Sequence, residues 1–210
     1  MNTAVRKSLL SEPPESGGML FGWTVEQYHD LINCGGIPEN PKTELIDGLL
    51  IWKDRAKAGE DPTTVGDRHR IAVTKLGQLA PQFLALRCFL QTQQPIAIPP
   101  NNEPEPDISV IRSAIDDYLD HPAGPTDTIF VLEVADSSLR RDLKVKLPIY
   151  ALAMIPEYIV VDLQNNVILI HRRPEAEHYA EVIKLRSGDI LELSAGGSNH
   201  VAVTVSSLLG

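Results

Sequence analysis

The order of elements in these 210 residues predicts an α/β or α+β domain, with a mixed central β-sheet flanked by helices and carrying additional β-hairpins. Three observations carry that expectation. The runs "LQTQQPIAI", "PDISVIR" and "TIFVLEVA" are β-prone and divided by Pro-rich or acidic loops. Segments of helical period stand before and after them. Two hairpin-like stretches close the chain.

Taken in order, "MNTAVRKSLLSEPPESGG" has two cations but no apolar stretch of signal-peptide length, and residues 1–20 are expected to form a flexible arm ahead of one domain at 21–210. "WTVEQYHDLINCGG" sets Thr24 and Gln27 in capping-box spacing and ends at Gly35 and Gly36, which predicts a short helix with Tyr28, Leu31 and Ile32 on one face. "TELIDGLLIW" reads as a hairpin about Asp47-Gly48. In "DRHRIAVTKLGQLAPQFLALR", Ile71, Leu76, Leu79 and Phe83 recur at helical intervals and Pro81 marks a kink or boundary. After the three strands a helix begins near Ser138. "PEYIVVDLQNNVILIHRR" predicts a hairpin at Asn165-Asn166, and "YAEVIKLRSGDILEL" a second about Gly188.

Composition narrows the setting. The apolar runs fall short of the roughly 20 residues that span a bilayer, and two cysteines without metal or disulfide spacing point to reduced thiols, so a soluble, cytoplasmic protein is expected. A net charge of −9 opposes nucleic-acid binding by the chain as a whole. Any such binding must be local, and cations gather at 53–57, "KDRAK", and 140–146, "RRDLKVK". Either cluster can equally be a solvated face.

One carboxylate breaks a core pattern. In "TIFVLEVA", Glu133 shares a strand face with Ile129, Val131 and Ala135. Burying an unpaired carboxylate costs several kcal/mol, so a cation, a proton, hydrogen-bond donors or a metal ion must stand nearby, unless a strand-end position lets a surface Arg pair with it. Asp107 likewise heads the strand after Pro106. Two such acids about 4 Å apart repel by roughly 4 kcal/mol at an effective dielectric near 20, which a divalent ion relieves. Oxygen-only ligands favour Mg²⁺ or Mn²⁺, and the six histidines show no zinc spacing.

On a helical wheel from Leu139, Leu143, Leu147, Tyr150 and Met154 fall between about 20° and 80°, a buried stripe. Lys146 falls at about −20°, on the edge of that stripe, and Lys144 at about 140°, facing away. Lys146 therefore either snorkels or returns its ammonium toward the carboxylate strand. Pro148 falls on the solvent side, where a bend accommodates it.

The ordered set "TELIDGLL", His69, "PEPDISVIR", "FVLEVADSSLRRDLKVKLPIYA" and "IPEYIVVDLQNN" resembles the Uma-type putative restriction endonuclease family, a branch of the PD-(D/E)XK nuclease superfamily, from about residue 20 onward. The resemblance implies a restriction-endonuclease-like core in which Asp107 and Glu133 ligate Mg²⁺ (or Mn²⁺), with Glu44 near the same site. The superfamily's usual lysine, two residues after the second acid, is Ala135 here. Lys146 matches the helix lysine thought to replace it. His69 matches a recurrent histidine with either a packing or a catalytic part. Asp142 and Tyr150, beside Lys146, are candidates for holding its rotamer. The activity implied is hydrolysis of DNA phosphodiester bonds, by a homodimer if both strands are cut. The alternatives are a non-catalytic nucleic-acid-binding or assembly module with the same fold, and a hydrolase of another phosphoester.

Overall fold

The computed structural model describes residues 22–37, 43–52 and 66–209. The expected arm and the cations at 53–57 lie outside them. The described residues pack as two compact units, one comprising those up to Trp52 together with Ala97–Pro104, the other those of Pro62–Ile96 and Glu105–Gly210.

In the first unit, α1 (Val25–Asn33) starts with the capping box that its spacing predicts. The Thr24 hydroxyl accepts from the Gln27 N–H at 3.2 Å, and the Gln27 carbonyl oxygen accepts from the Thr24 N–H at 3.0 Å. Two of the helix's orphan donors are thereby satisfied. Thr24→Ala is expected to cost about 1 kcal/mol, read by chemical denaturation. The buried face is Val25 and Tyr28, while Ile32 is exposed. β1 (Thr43–Ile46) and β2 (Leu49–Trp52) form the expected hairpin, and Asp47 and Gly48 adopt φ values of 49° and 76°, as a two-residue primed turn requires. The loop residue Glu103 bonds back to Leu45 in both directions.

The second unit is built on a six-stranded sheet in the order β3-β4-β5-β6-β7-β8, formed by β3 (Cys88–Thr92), β4 (Ile108–Arg112), β5 (Thr128–Ala135), β6 (Glu157–Asp162), β7 (Val167–Glu175) and β8 (His178–Leu185). All neighbours are antiparallel except β5 and β6. A parallel pair needs a crossover. Here it is helical: α4 (Leu139–Arg141), a π-helical turn at Asp142–Lys146, and α5 (Leu147–Leu152). Ahead of the sheet, α2 (Asp67–Gly77) and α3 (Ala80–Ala85) break beside Pro81, as expected. A separate pair, β9 (Ile190–Ser194) and β10 (His200–Thr204), and α6 (Val205–Leu209) complete the unit.

The main core lies on one face of this sheet, where Phe130, Leu132 and Val134 of β5 meet Leu76 and Phe83 of α2 and α3 and Leu191 of β9. The alternating residues Val131, Glu133 and Ala135 therefore leave from the opposite face. All eight residues of β5 are buried, as expected for a strand covered on both sides.

Four local expectations are corrected. The first central strand is Cys88–Thr92 rather than the run through Ile98, because Pro95 cannot donate to a ladder. β8 and β9 do not pair. β8 returns on β7 through Ala176-Glu177, and at 186–189 the Asp189 carboxylate accepts the Arg186 N–H and turns the chain out of the sheet toward β10. Ile71 is 43% exposed, its expected core place being taken by Ala72 and Val73. Met154 is 62% exposed, because the helix ends at Leu152 and Met154 sits beyond its cap at φ 58°.

Candidate active site

The crossover is not a uniform α-helix. Within the π turn the Leu147 N–H donates to the Asp142 carbonyl, five residues back. Pro148, which lacks a donor, then falls in the first turn of α5, where none is required. Asp142 and Lys146 are the buried residues of the π turn, and Tyr150 follows on α5. Spaced four apart, they form one stripe. Lys146 is 4% exposed while Lys144 points to solvent. The stripe meets Glu133: the Lys146 Nζ donates to Glu133 Oε1 at 2.6 Å and the Tyr150 hydroxyl to the same oxygen at 3.3 Å.

Asp107 stands one residue before β4, extending the register in which Ile108 pairs with Leu132. Its carboxylate crosses to β5, where Oδ2 accepts the Val134 N–H at 2.9 Å and the His69 Nε2–H at 2.9 Å. Oδ1 has a longer contact, 3.4 Å, from the Gln93 amide. His69 comes from the first turns of α2, where it is buried on the helix face that carries Ala72, Val73 and Leu76.

The two acids are driven in opposite directions. Glu133 is pushed up to about 8, first by burial, with Asp142 and Asp107 adding to the rise against the pull of Lys146. Burial also acts upward on Asp107. There the His69 hydrogen bond and charge, the Val134 N–H and Lys146 outweigh it and hold the group below its ordinary value. Asp142 is raised, mainly by burial, although Lys146 and its hydrogen bond from Ser138 oppose this. Ser138 Oγ donates to Asp142 Oδ2 at 2.6 Å, and the Tyr158 hydroxyl to the Asp142 carbonyl at 3.2 Å. Opposed pKa displacements of neighbouring acids are the usual mark of a chemical site.

The charge of one lysine thus acts on three acids, in direct contact with Glu133. Among the described residues no group of three or more His, Cys, Asp and Glu side chains converges as an ion-holding set. Mg²⁺ commonly needs only one or two carboxylates, the rest of its shell being water and substrate oxygens. Asp107 and Glu133 meet that requirement in number and chemistry, and the negative charge of Asp142 and Asp107, which adds to the effect of burial on Glu133, is of the sign that a divalent cation neutralises. The donor set therefore fits a hard divalent ion.

Asp107, Glu133, Lys146, His69, Asp142 and Tyr150 all lie in the second compact unit: Asp107 is bonded to His69, Glu133 to Lys146 and Tyr150, and the charges of Lys146, Asp107 and Asp142 act across these groups. Glu44 belongs to the first unit, where it is completely buried on β1 opposite Ile51. Three residues of this surrounding went unremarked in the sequence. Ser138 and Tyr158 look like an ordinary helix start and strand residue, and Gln93 sits in a run that reads as strand. Only the contacts of their side chains distinguish them.

A family model described as "Uma2: Putative restriction endonuclease" matches residues 25–206. Among solved structures, the fold matches the crystal structure of a putative nuclease belonging to DUF820 from Anabaena variabilis. That match has a TM-score of 0.64 at 12% identity, covering 89% of this chain and 97% of the other. No curated protein matches the chain. No helix among the described residues is long and apolar enough to cross a membrane.

Proposed function

The chain belongs to the Uma2 family of putative restriction endonucleases, and from that premise we propose that it is a divalent-metal-dependent endonuclease hydrolysing phosphodiester bonds of DNA. The observation that carries the reading is the buried Lys146 ammonium, 2.6 Å from Glu133 across from Asp107 on the next strand. This is an acid–acid–lysine set in which the lysine comes from the crossover helix.

Asp107 and Glu133 would hold Mg²⁺ or Mn²⁺, which when bound supplies Lewis-acid neutralisation of charge at the phosphoryl group. Lys146 presents N–H donors in a water-poor setting, where they orient the attacking water and offset negative charge as it builds in the transition state. Tyr150 shares Glu133 Oε1 with Lys146 and so limits the rotation of that carboxylate. His69 and the Val134 N–H keep Asp107 ionised and fixed before substrate arrives. Glu44 is carried as a third acid on the family resemblance alone, with Glu44→Gln as its own test.

The test is incubation of single- and double-stranded DNA with the wild-type protein in Mg²⁺, Mn²⁺ and EDTA. Cleavage in the metals and none in EDTA is expected. The net charge of −9 favours one competitor, a non-catalytic nucleic-acid-binding module. Binding without cleavage in any metal would select it. The metal part has a separate readout. Mg²⁺ at a hundredfold excess over its Kd should stabilise the wild type by about 2.7 kcal/mol, and Asp107→Asn should abolish that thermal shift. Equal shifts in both proteins would remove Asp107 from the metal site.

A further inference from the structure

Beside Asp107 lies a cavity of about 290 Å³, at the small end of the range for ligand pockets. Its wall is one face of α2, with His69, Arg70, Thr74 and Gly77, and its end is formed by Thr92, the last residue of β3, and Gln93 after it. Positions 69, 70, 73, 74 and 77 recur at helical spacing, so the wall is continuous. Two of the lining residues, His69 and Gln93, also hydrogen-bond the Asp107 carboxylate, so the cavity adjoins the acid that the proposed reaction uses.

Two further features set the cavity apart from ordinary surface. Gln93 holds φ at 51°, a left-handed conformation that costs a non-glycine residue roughly 1 kcal/mol or more. It is kept there by its N–H donating to the Asp107 carbonyl at 3.1 Å. Among the described residues the Arg70 side chain, on the rim, pairs only with Asp67, at 3.3 Å and with the two side chains 63% and 87% exposed. Such pairs contribute little, so the guanidinium can transfer to a phosphate, whose geometry it matches in bidentate fashion. Arg68 and Lys75 of the same helix face elsewhere, held by Asn166, the Leu209 carbonyl and the Ser207 carbonyl.

We infer that this cavity seats the nucleotide adjoining the scissile phosphate, with Arg70 taking its flanking phosphate and Gln93 linking the bound strand to Asp107. The inference rests on the nuclease reading of the carboxylate site and states where the substrate strand lies. Apolar Val73 and Gly77 give the sugar and base a surface without charge. The polar rim supplies donors to oxygen atoms. Arg70 is the one Lys or Arg among the described residues that line the cavity, so in a chain of net charge −9 the attraction stays local.

The experiment is fluorescence anisotropy of a 5′-labelled single-stranded DNA oligonucleotide, in EDTA and again in Ca²⁺, with variants whose unfolding midpoints match the wild type. Thr74→Trp, which fills the cavity, is expected to weaken binding at least tenfold. Arg70→Ala should weaken it about fivefold to tenfold and lower the slope of log affinity against log salt by about 0.7, one phosphate's worth on a single strand. Lys75→Ala should bind as the wild type does. If Thr74→Trp does not fold, Arg70→Ala and Lys75→Ala decide. Wild-type affinity in Arg70→Ala, an equal loss in Lys75→Ala, or no binding by the wild type in either buffer would overturn the inference. Cleavage by the wild type with unimpaired binding in the cavity variants would sink the cavity and leave the nuclease reading standing. Lost binding in those variants, with no cleavage by the wild type in any metal, would sink the nuclease reading and leave the cavity as a strand-binding site.

Discussion

Lys146→Ala is expected to abolish DNA cleavage to within about one part in 10² to 10⁴ of the wild-type rate, the span that a positioned proton-handling or charge-offsetting group contributes. Stability should fall in the same variant. Lys146 is buried in an ion pair with Glu133 and its charge also favours the ionised form of the buried Asp142, and removing one partner of a buried ion pair leaves a charge whose desolvation costs about 3–5 kcal/mol. The loss should be largest above pH 8, where Glu133 is ionised, and smaller at pH 5, where it can take a proton instead. Urea denaturation at the two pH values reads the stability, and single-turnover cleavage reads the rate. Cleavage equal to the wild type would assign the activity to a contaminant and end the part given to Lys146. Lys144→Ala is the control, since that side chain is exposed and should change neither quantity.

The second large effect is on pH. The unfolded chain releases the Glu133 proton near its ordinary value of 4.5, whereas the folded chain keeps it to about 8, because burial and the charges of Asp142 and Asp107 outweigh Lys146. Between those values the folded state binds the extra proton. The contribution of this group is therefore fully present below 4.5 and is lost as pH rises through 8, at up to about 1.4 kcal/mol per pH unit. Glu133→Gln removes the titration while keeping an acceptor for Tyr150. The difference in unfolding free energy between wild type and Glu133→Gln should decline across this window and be flat outside it. A constant difference from pH 4 to 9 would mean that folding leaves the Glu133 titration at its ordinary place, and the opposed displacement of the two acids would be lost with it. Asp107 acts with the opposite sign: its folded value is depressed, so its contribution is present above 3.8 and lost as pH falls.

Much of the candidate site was legible because its signals are local. A carboxylate inside "TIFVLEVA" and another heading "PDISVIR" violate the apolar pattern of a covered strand, and a strand's alternation says which face each acid leaves from. The wheel that separated Lys146 from Lys144 assumed a regular α-helix. Its choice matched the burial because the residues that matter, 142, 146 and 150, keep a spacing of four through the π turn. Met154, beyond the helix end, was misplaced by the same assumption. The hairpin at Gly188 failed for another reason. A turn signal says that the chain reverses, not which strand it will join, and β7 had already claimed β8.

What the amino-acid sequence determined by itself is the set of elements whose causes lie within a few residues: the capping box at Thr24, the Asp47-Gly48 turn, the break at Pro81, the two acid-bearing strands and the lysine stripe. What only the tertiary structure decided is which of these elements touch. The parallel join of β5 to β6 required the helical crossover that sets Lys146 on Glu133. Packing of α2 beside β4 gave Asp107 a histidine partner. The balance of burial against neighbouring charge then drove one acid up and the other down. Those outcomes depend on distances between residues far apart in the chain and on the water excluded around them, and neither quantity is written in local spacing.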